Sequence, residues 1–420
     1  MKKLALVFAL VALTMAMVFA GGSAETAAEK EIEIKFVTWW VGADTKAGAI
    51  QELVDEFNAN HVGKIKVTIE GTADADGLAN SISTQIAAGN PPDVFCWGPT
   101  VAGFENYDGN LFMDFTEDLK GEWSECFADG ILDQATYHGM TKSLPYDMAY
   151  TPIWYNTNIL KEAGVEKLPE TMDEFWDMCD KVKAAGYYPT AQMTGGNNAW
   201  TSMLWYTFLC GSIGGPAIFD NFEQEFPTNP VFVQAAEILQ RMYLEYTHND
   251  AIGGDAGVAG GYYLAGKTAA FINGPWYIGR VKNEAPEVFE ATEMGFFPTI
   301  NNEKIMVCST LTNLAAANQK DPAKRAAVIE FLKWLTTAEN AKKVAESSGA
   351  VLAVKFDASG NDNRLTAQVN DIINGSKGFV NYWQFYVAAD MQLEFGQALA
   401  AMGAGKITPA EFVAQISSLF

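Results

Sequence analysis

Between residues 32 and 69 the hydrophobic period switches from two to helical spacing and back to two. No other feature of the chain narrows its fold as much. Ile32, Ile34 and Phe36 alternate with polar residues, Ile50, Leu53, Val54 and Phe57 recur at helical spacing, and Ile65, Val67 and Ile69 alternate again. Alternation suits a half-buried strand, and the wider spacing suits an amphipathic helix. The order is therefore β-α-β. A second helix is predicted around Leu78–Ala88, ended by Gly89-Asn90-Pro91-Pro92, and Asp93-Val-Phe-Cys-Trp-Gly98 reads as the next strand. Such alternation implies an α/β class with a largely parallel sheet and helices on both faces. Later helices carry start signals of their own. Thr171-Met-Asp-Glu174 is a capping box, and Asp321-Pro322 and Thr408-Pro409-Ala-Glu411 open further helices.

The first thirty residues belong to a different regime. Lys2-Lys3 precedes an uncharged stretch from Leu4 to Ala20, which closes on Val18-Phe19-Ala20 before Gly21. A basic start, a short apolar stretch and a small-residue end predict a cleaved secretory signal peptide over residues 1–20. The stretch falls short of the about twenty residues that span a bilayer. No cysteine stands near residue 20, so no lipobox anchor is expected, and residues 21–30 read as a flexible leader. The expected location is the periplasm. The remainder is longer than one ordinary core, so two lobes are expected, and the absence of a linker suggests that the chain crosses between them more than once.

Charge and cysteines exclude several classes. A net charge of −23 argues against nucleic acid and anionic membrane surfaces as partners. The five cysteines (96, 126, 179, 210 and 308) are widely spaced and form no CxxC, so they read as small buried hydrophobes without disulfides. With His61, His138 and His248 as the histidines and no HExxH, neither a metal site nor a cofactor is expected. No G-x-S-x-G elbow occurs either, and paired carboxylates mean little in a chain with 51 acidic residues. Gly261-Tyr-Tyr-Leu-Ala-Gly266-Lys267-Thr268 matches the P-loop pattern literally, but apolar residues at helical spacing precede its end and the strand-like Ala269–Ile272 follows it. A P-loop needs the reverse order, strand before and helix after.

What remains is a set of aromatic and polar residues placed at turns. Trp39, Trp40 and Asp44 follow the first strand, and Trp97 ends the third. Tyr146 and Asp147 stand in Leu144-Pro-Tyr-Asp-Met-Ala-Tyr150, and Asn197 with Trp200 in a Gly-Gly-Asn-Asn-Ala-Trp loop. Trp276 follows Asn273-Gly-Pro275, and Trp383 stands near the C-terminus beside Asn381. By contrast Trp154, Trp176, Trp205 and Trp334 read as packing residues. A sugar needs the first kind of mixture: its C–H faces stack on rings, and its hydroxyls pair with amides and carboxylates. Two rings and four charge-assisted or amide hydrogen bonds would supply roughly 8–10 kcal/mol, close to the ~8.2 kcal/mol of a micromolar complex before ordering costs.

Several separated stretches then resemble family 1 extracellular solute-binding proteins of ABC importers, the group that includes maltose-binding protein. They are Phe36-Val-Thr-Trp-Trp40, Asn90-Pro-Pro-Asp-Val-Phe95, Leu144–Leu160, Tyr262–Trp276, Ala327–Ala353 and Gly405–Phe412. The resemblance implies a two-lobed, class II periplasmic-binding-protein-like fold with a ligand cleft at the hinge. It implies an N-terminal lobe from residues 31–146 and 298–349 and a C-terminal lobe from 147–297 and 350–420. It implies capture of a mono- or oligosaccharide, delivery to ABC permease subunits, a monomer, and no catalysis. Trp276 takes the stacking role, with Trp40 beside it; Asp44, at the acidic position of glucose-type binders, Asp147 and Asn197 meet hydroxyls; Trp97 shapes the far wall. An exported carbohydrate-active enzyme, or the same fold serving an amine, peptide or metal ligand, are the alternatives.

Overall fold

The computed structural model describes residues 31–420 apart from 73–74, 98–110, 129–130, 138, 197–198, 302, 358–362 and 388, together with the side chains of 75–76, 97, 133–134, 137 and 389–390. The expected signal peptide and leader therefore lie outside the described residues.

The chain opens with the predicted alternation. Strand β1 (Ile32–Thr38), helix α1 (Ala47–Asn60), strand β2 (Ile65–Gly71), helix α2 (Ala75–Ala87) and strand β3 (Val94–Trp97) follow in order. β1 pairs in parallel with β2 from Ile32 opposite Ile65, and with β3 from Phe36 opposite Val94. Ile50, Leu53, Val54 and Phe57, the helical stripe seen in the sequence, form the buried face of α1. Strands β4 (Ser143–Tyr150) and β5 (Ile153–Asn156) come next, separated by Thr151-Pro152.

A second unit is built on the segment that follows. Helix α3 (Trp200–Gly214) is buried on all sides from Thr201 to Ser212, as befits a helix apolar all round. Strands β6 (Tyr188–Thr190), β7 (Thr268–Ile272) and β8 (Thr292–Gly295) join β5 in a four-stranded sheet of order β8-β5-β7-β6. The chain then returns through β9 (Ile305–Ala316), α4 (Pro322–Leu335), α5 (Ala338–Ser348), β10 (Val351–Leu352) and β11 (Gly378–Val380). These complete a sheet of order β10-β4-β9-β3-β1-β2, with β11 paired to β9.

Among the described strands β1 pairs in parallel with β2 and β3, β6 with β7 and β9 with β11, while β9 runs antiparallel to both β3 and β4. β4 and β9, antiparallel to one another, are the strands that contribute to both cores. Two cores result. One holds Phe36, Leu53, Phe57, Phe95, Tyr146 and Leu332, and the other Trp154, Trp205, Phe271, Trp383 and Phe395. In β4 Met148 belongs to the first and Ala149 to the second; in β9 Ile305–Val307 belong to the second and Leu314–Ala316 to the first. Val354 still packs in the first core, and Leu365 is in the second. The change of core thus falls within β9 and again between Val354 and Leu365.

Candidate functional site

The site grows from the ends of β1 and β4. At the end of β1 the Trp40 N–H donates to Thr38 Oγ1 at 3.1 Å, and Thr38 Oγ1 lies 3.0 Å from Cys96 Sγ on β3. The chain then turns through Gly42 at φ 61°, a left-handed angle that glycine adopts without steric cost. Asp44 closes the turn by accepting the Lys46 N–H at 2.8 Å, immediately before α1. The Trp40 ring folds inward against Tyr146 of β4, with centroids 5.0 Å apart.

This arrangement carries Lys46 inside the protein. Its ammonium lies 3.0 Å from Asp147 Oδ2, with the two side chains 3% and 1% exposed, and 6.0 Å from the Trp40 ring centre. Burial disfavours its charge, but the Asp147 and Asp44 carboxylates outweigh that and hold its pKa above the ordinary lysine value. Burial raises the Asp44 carboxyl above its usual range, partly opposed by Lys46. Burial, then the neighbouring Asp147 charge, pushes the Tyr146 hydroxyl up.

Several polar atoms here are enclosed without hydrogen-bond partners. They include Trp40 Nε1, the Tyr146 hydroxyl, Thr312 Oγ1 and Asn313 Oδ1, and Asp147 has no partner beyond the Lys46 ammonium. Thr312 sits opposite Asp147 across the β4–β9 ladder, at an irregularity that spans Thr310 to Asn313. Irregular pairing re-aims side chains and is common beside functional sites.

The second lobe contributes rings. Trp276 sits in the short turn Pro275–Tyr277 after β7, half-buried, with its ring 6.2 Å from that of Trp200. The Asn-Gly-Pro-Trp sequence explains the shape of that turn. Asn273 Oδ1 accepts the Gly274 N–H at 2.8 Å, and the Asn273 carbonyl accepts Trp154 Nε1–H at 2.9 Å. The Trp276 ring folds back over Gly274 so closely that a Cβ there would lie 1.9 Å from Cζ3. Only glycine leaves room for it. Trp200 starts α3 directly after Ala199, which at a φ of 51° is, among the described residues, the non-glycine residue held in the left-handed region. Such a conformation costs on the order of 1 kcal/mol and must be held by its surroundings.

Thr45 joins the two halves. Its hydroxyl donates to the Trp276 carbonyl at 3.2 Å, so the turn after β1 and the turn after β7 touch across the lobes. Nearby, Gly279 packs so tightly that a Cβ would lie 3.2 Å from the Ser348 carbonyl and 3.3 Å from Thr45 Cγ2.

The structure brings Trp40, Asp44, Tyr146 and Asp147 together, with Trp39 half-buried on the first core beside them. Trp40 is enclosed, however, and presents no open ring face; its unpartnered Nε1 is the atom it has to offer. Trp97 pairs through its backbone with Asn313, while its side chain and all of Asn197 lie outside the described residues. Trp383 is corrected. It is fully buried among Tyr206, Phe222, Phe226 and Phe395, at centroid distances of 4.9–5.3 Å, and is a core residue of the second lobe. The sequence showed Asn381 beside it, but not the four rings that converge on it from distant segments.

Lys46, Thr45, Thr312 and Asn313 were not foreseen. A lysine at a helix start reads as a solvated residue, and nothing local says that it turns inward. The literal P-loop is a helix, Ala256–Leu264, turned by Gly266 at φ 63° into β7. A surface cavity of about 590 Å³, lined by Thr157, Lys161, Leu168 and Glu293 among others, lies elsewhere on the second lobe and includes none of the expected site residues. Among the described residues no cluster of three or more His, Cys, Asp or Glu side chains could hold a metal ion.

Comparison with known proteins defines the class. The bacterial extracellular solute-binding protein family matches residues 43–342, well over half of the chain, and the chain belongs to that family. It is 25% identical over 314 residues to the diacetylchitobiose binding protein DasA of Streptomyces coelicolor, across 71% of this chain and 68% of that one. It is 23% identical over 376 residues to the multiple sugar-binding protein of Streptococcus mutans, across 84% and 83% of the two chains. A solved chitin oligosaccharide binding protein superposes with a TM-score of 0.84 over 93% of this chain and 98% of that one, at 18% identity. The fold is thus that of the two-lobed extracellular solute-binding proteins.

Proposed function

We propose that this chain is the extracytoplasmic sugar-binding component of an ABC importer, holding a small saccharide between its lobes without turning it over. The carrying observation is the pairing of unlike surfaces at one inter-lobe contact. Enclosed, unpartnered hydrogen-bonding atoms stand on the first lobe, half-buried Trp200 and Trp276 on the second, and the Thr45–Trp276 hydrogen bond links them. Hydroxyl groups suit the former and sugar C–H faces the latter. The sugar-binding relatives support this reading.

In this reading Trp276 and Trp200 supply the stacking faces, and Asp147, Tyr146 and Asn313 meet hydroxyls. Trp40 acts through its indole N–H, and Asp44 orders the turn that carries Lys46. Asn197 and Trp97 remain assigned as expected from the sequence. The lobes are drawn along the two cores, and ligand favours the closed arrangement by contacting both. Export through a cleaved signal peptide, action as a monomer and delivery to permease subunits complete the proposal.

Calorimetric titration of the mature protein with mono- and oligosaccharides, followed by chromatography of the recovered sugar, tests it. Binding near a micromolar Kd with the sugar recovered intact is expected. A folded protein that ignores every sugar, or one that cleaves its ligand, would contradict it.

A further inference from the structure

Among the ion pairs of the described residues, Lys46–Asp147 is the one with both partners buried; the others have at least one side chain more than 10% exposed. A buried pair is a weak source of stability, because well-packed apolar residues in its place are often as good or better. Its surroundings suggest another use. The atoms around it without a further partner include a pure donor, the Trp40 indole N–H, pure acceptors in Asn313 Oδ1 and Asp147 Oδ1, and the hydroxyls of Tyr146 and Thr312, which can do both. A polyol satisfies such a mixed set, since each hydroxyl donates and accepts. A cation would satisfy the acceptors and leave the indole N–H without a partner.

Charge decides between these occupants. With the ammonium of Lys46 at 3.0 Å, Asp147 is a compensated carboxylate. Asp44 is half-buried, tied to the Lys46 backbone N–H, and reaches solvent. Without Lys46 the same place would present two carboxylates and no counter-ion, which is a binding site for an amine. The geometry points to Lys46 as the residue that fixes ligand class: its ammonium occupies the position an amino sugar's ammonium would take, so the site accepts neutral saccharides and rejects their amine-bearing counterparts. This rests on the saccharide reading above and refines it.

The test is a calorimetric titration at a pH where amino sugars are protonated. The neutral probes are cellobiose, maltotriose and N,N′-diacetylchitobiose. The amine probe is chitobiose, which is cellobiose with two hydroxyls replaced by ammonium groups. Wild type is expected to bind a neutral probe and to hold chitobiose at least about tenfold more weakly. Lys46→Met should shrink or invert that ratio by about tenfold, Asp147→Asn should widen it, and the double variant, neutral again, should return towards the wild-type ratio. If Lys46→Met does not fold, Asp147→Asn and the double variant still read the charge. A neutral sugar bound by wild type with a ratio that these variants leave unchanged, or chitobiose bound as tightly as cellobiose by wild type, overturns the role of Lys46 and leaves the saccharide reading standing. A folded wild type that binds none of the probes overturns both.

Discussion

On the first lobe, the residues at the inter-lobe contact are polar, enclosed and charged: Lys46 against Asp147, with Tyr146, Thr312 and Asn313 around them. Across from them the second lobe offers Trp200 and Trp276, half-buried and six ångströms apart. The cores behind these faces differ as well. Behind the charged face lies a sheet of seven strands, in which unpartnered groups are held by β4 and β9. Behind the rings lies an aromatic core in which Trp154, Trp205 and Trp383 are fully buried. In the proposed reading an aromatic residue of the second lobe meets ligand only where a turn lifts it out of that core, as the Asn-Gly-Pro turn lifts Trp276. Enclosed polar atoms without partners occur in both cores, the Trp205 and Trp383 indole nitrogens among them; those of Tyr146, Asp147, Thr312 and Asn313 differ in clustering around a buried ion pair.

The contrast can be broken by truncating one residue of each kind. Trp383→Ala empties a cavity in the second core and should lower unfolding free energy by about 3–5 kcal/mol in chemical denaturation. Asp147→Ala removes the buried partner of the Lys46 ammonium and leaves it only the half-buried Asp44 carboxylate, which should cost up to about 3–5 kcal/mol. The difference is that Asp147→Ala should also abolish binding, whereas Trp383→Ala should not.

Changes at the second-lobe turn should act mainly on affinity. Gly274→Ala puts a Cβ into the Trp276 ring and forces that ring to move. Overpacking of this sort should cost about 1–3 kcal/mol of stability and weaken sugar binding as much as removing the tryptophan does. If crystals of the variant showed the ring in its original place with affinity intact, the role given to the turn would fail.

The smallest effects are in the pH dependence, and they have opposite signs in the two lobes. The folded-state pKa of Lys46 is raised above 10.5, so its contribution is fully present below pH 10.5 and is lost as pH rises through the folded value. His248, in the second lobe, is buried against the Tyr262 ring at 4.1 Å. Burial holds its pKa below 6.5, although Asp250 pulls the other way. Its neutral form therefore stabilises above pH 6.5, and that is lost as pH falls through the lower folded value. Thermal unfolding followed across pH should show an alkaline loss that is absent in the Lys46→Met, Asp147→Asn double variant and an acid loss that is reduced in His248→Gln.

Much of this architecture could be read from the sequence because it is local. The β1-α1-β2 periodicity produced the elements expected, and both capping boxes formed, with Glu174 N–H donating to Thr171 Oγ1 and Glu411 N–H to Thr408 Oγ1. The same logic found the turn that carries Trp276. It misplaced Trp383, because which ring enters a core depends on Phe222 and Phe395, residues more than a hundred and seventy positions apart. It passed over Lys46 for a related reason. Its burial is decided by Asp147, about a hundred residues away on a strand that reaches β1 only through β9 and β3. Long-range electrostatics leaves no periodic trace.

The central claim is that the rings of the second lobe divide into one set that holds the ligand and another that holds the lobe. Calorimetric titration of Trp276→Ala beside Trp383→Ala, with the sugar that wild type binds most tightly, tests it directly. The expected result is a Kd weakened about tenfold or more in Trp276→Ala, equivalent to about 1.4 kcal/mol, and a nearly unchanged Kd in a less stable Trp383→Ala. Equal affinity in Trp276→Ala and wild type, or a larger loss in Trp383→Ala while it remains folded, would contradict the assignment.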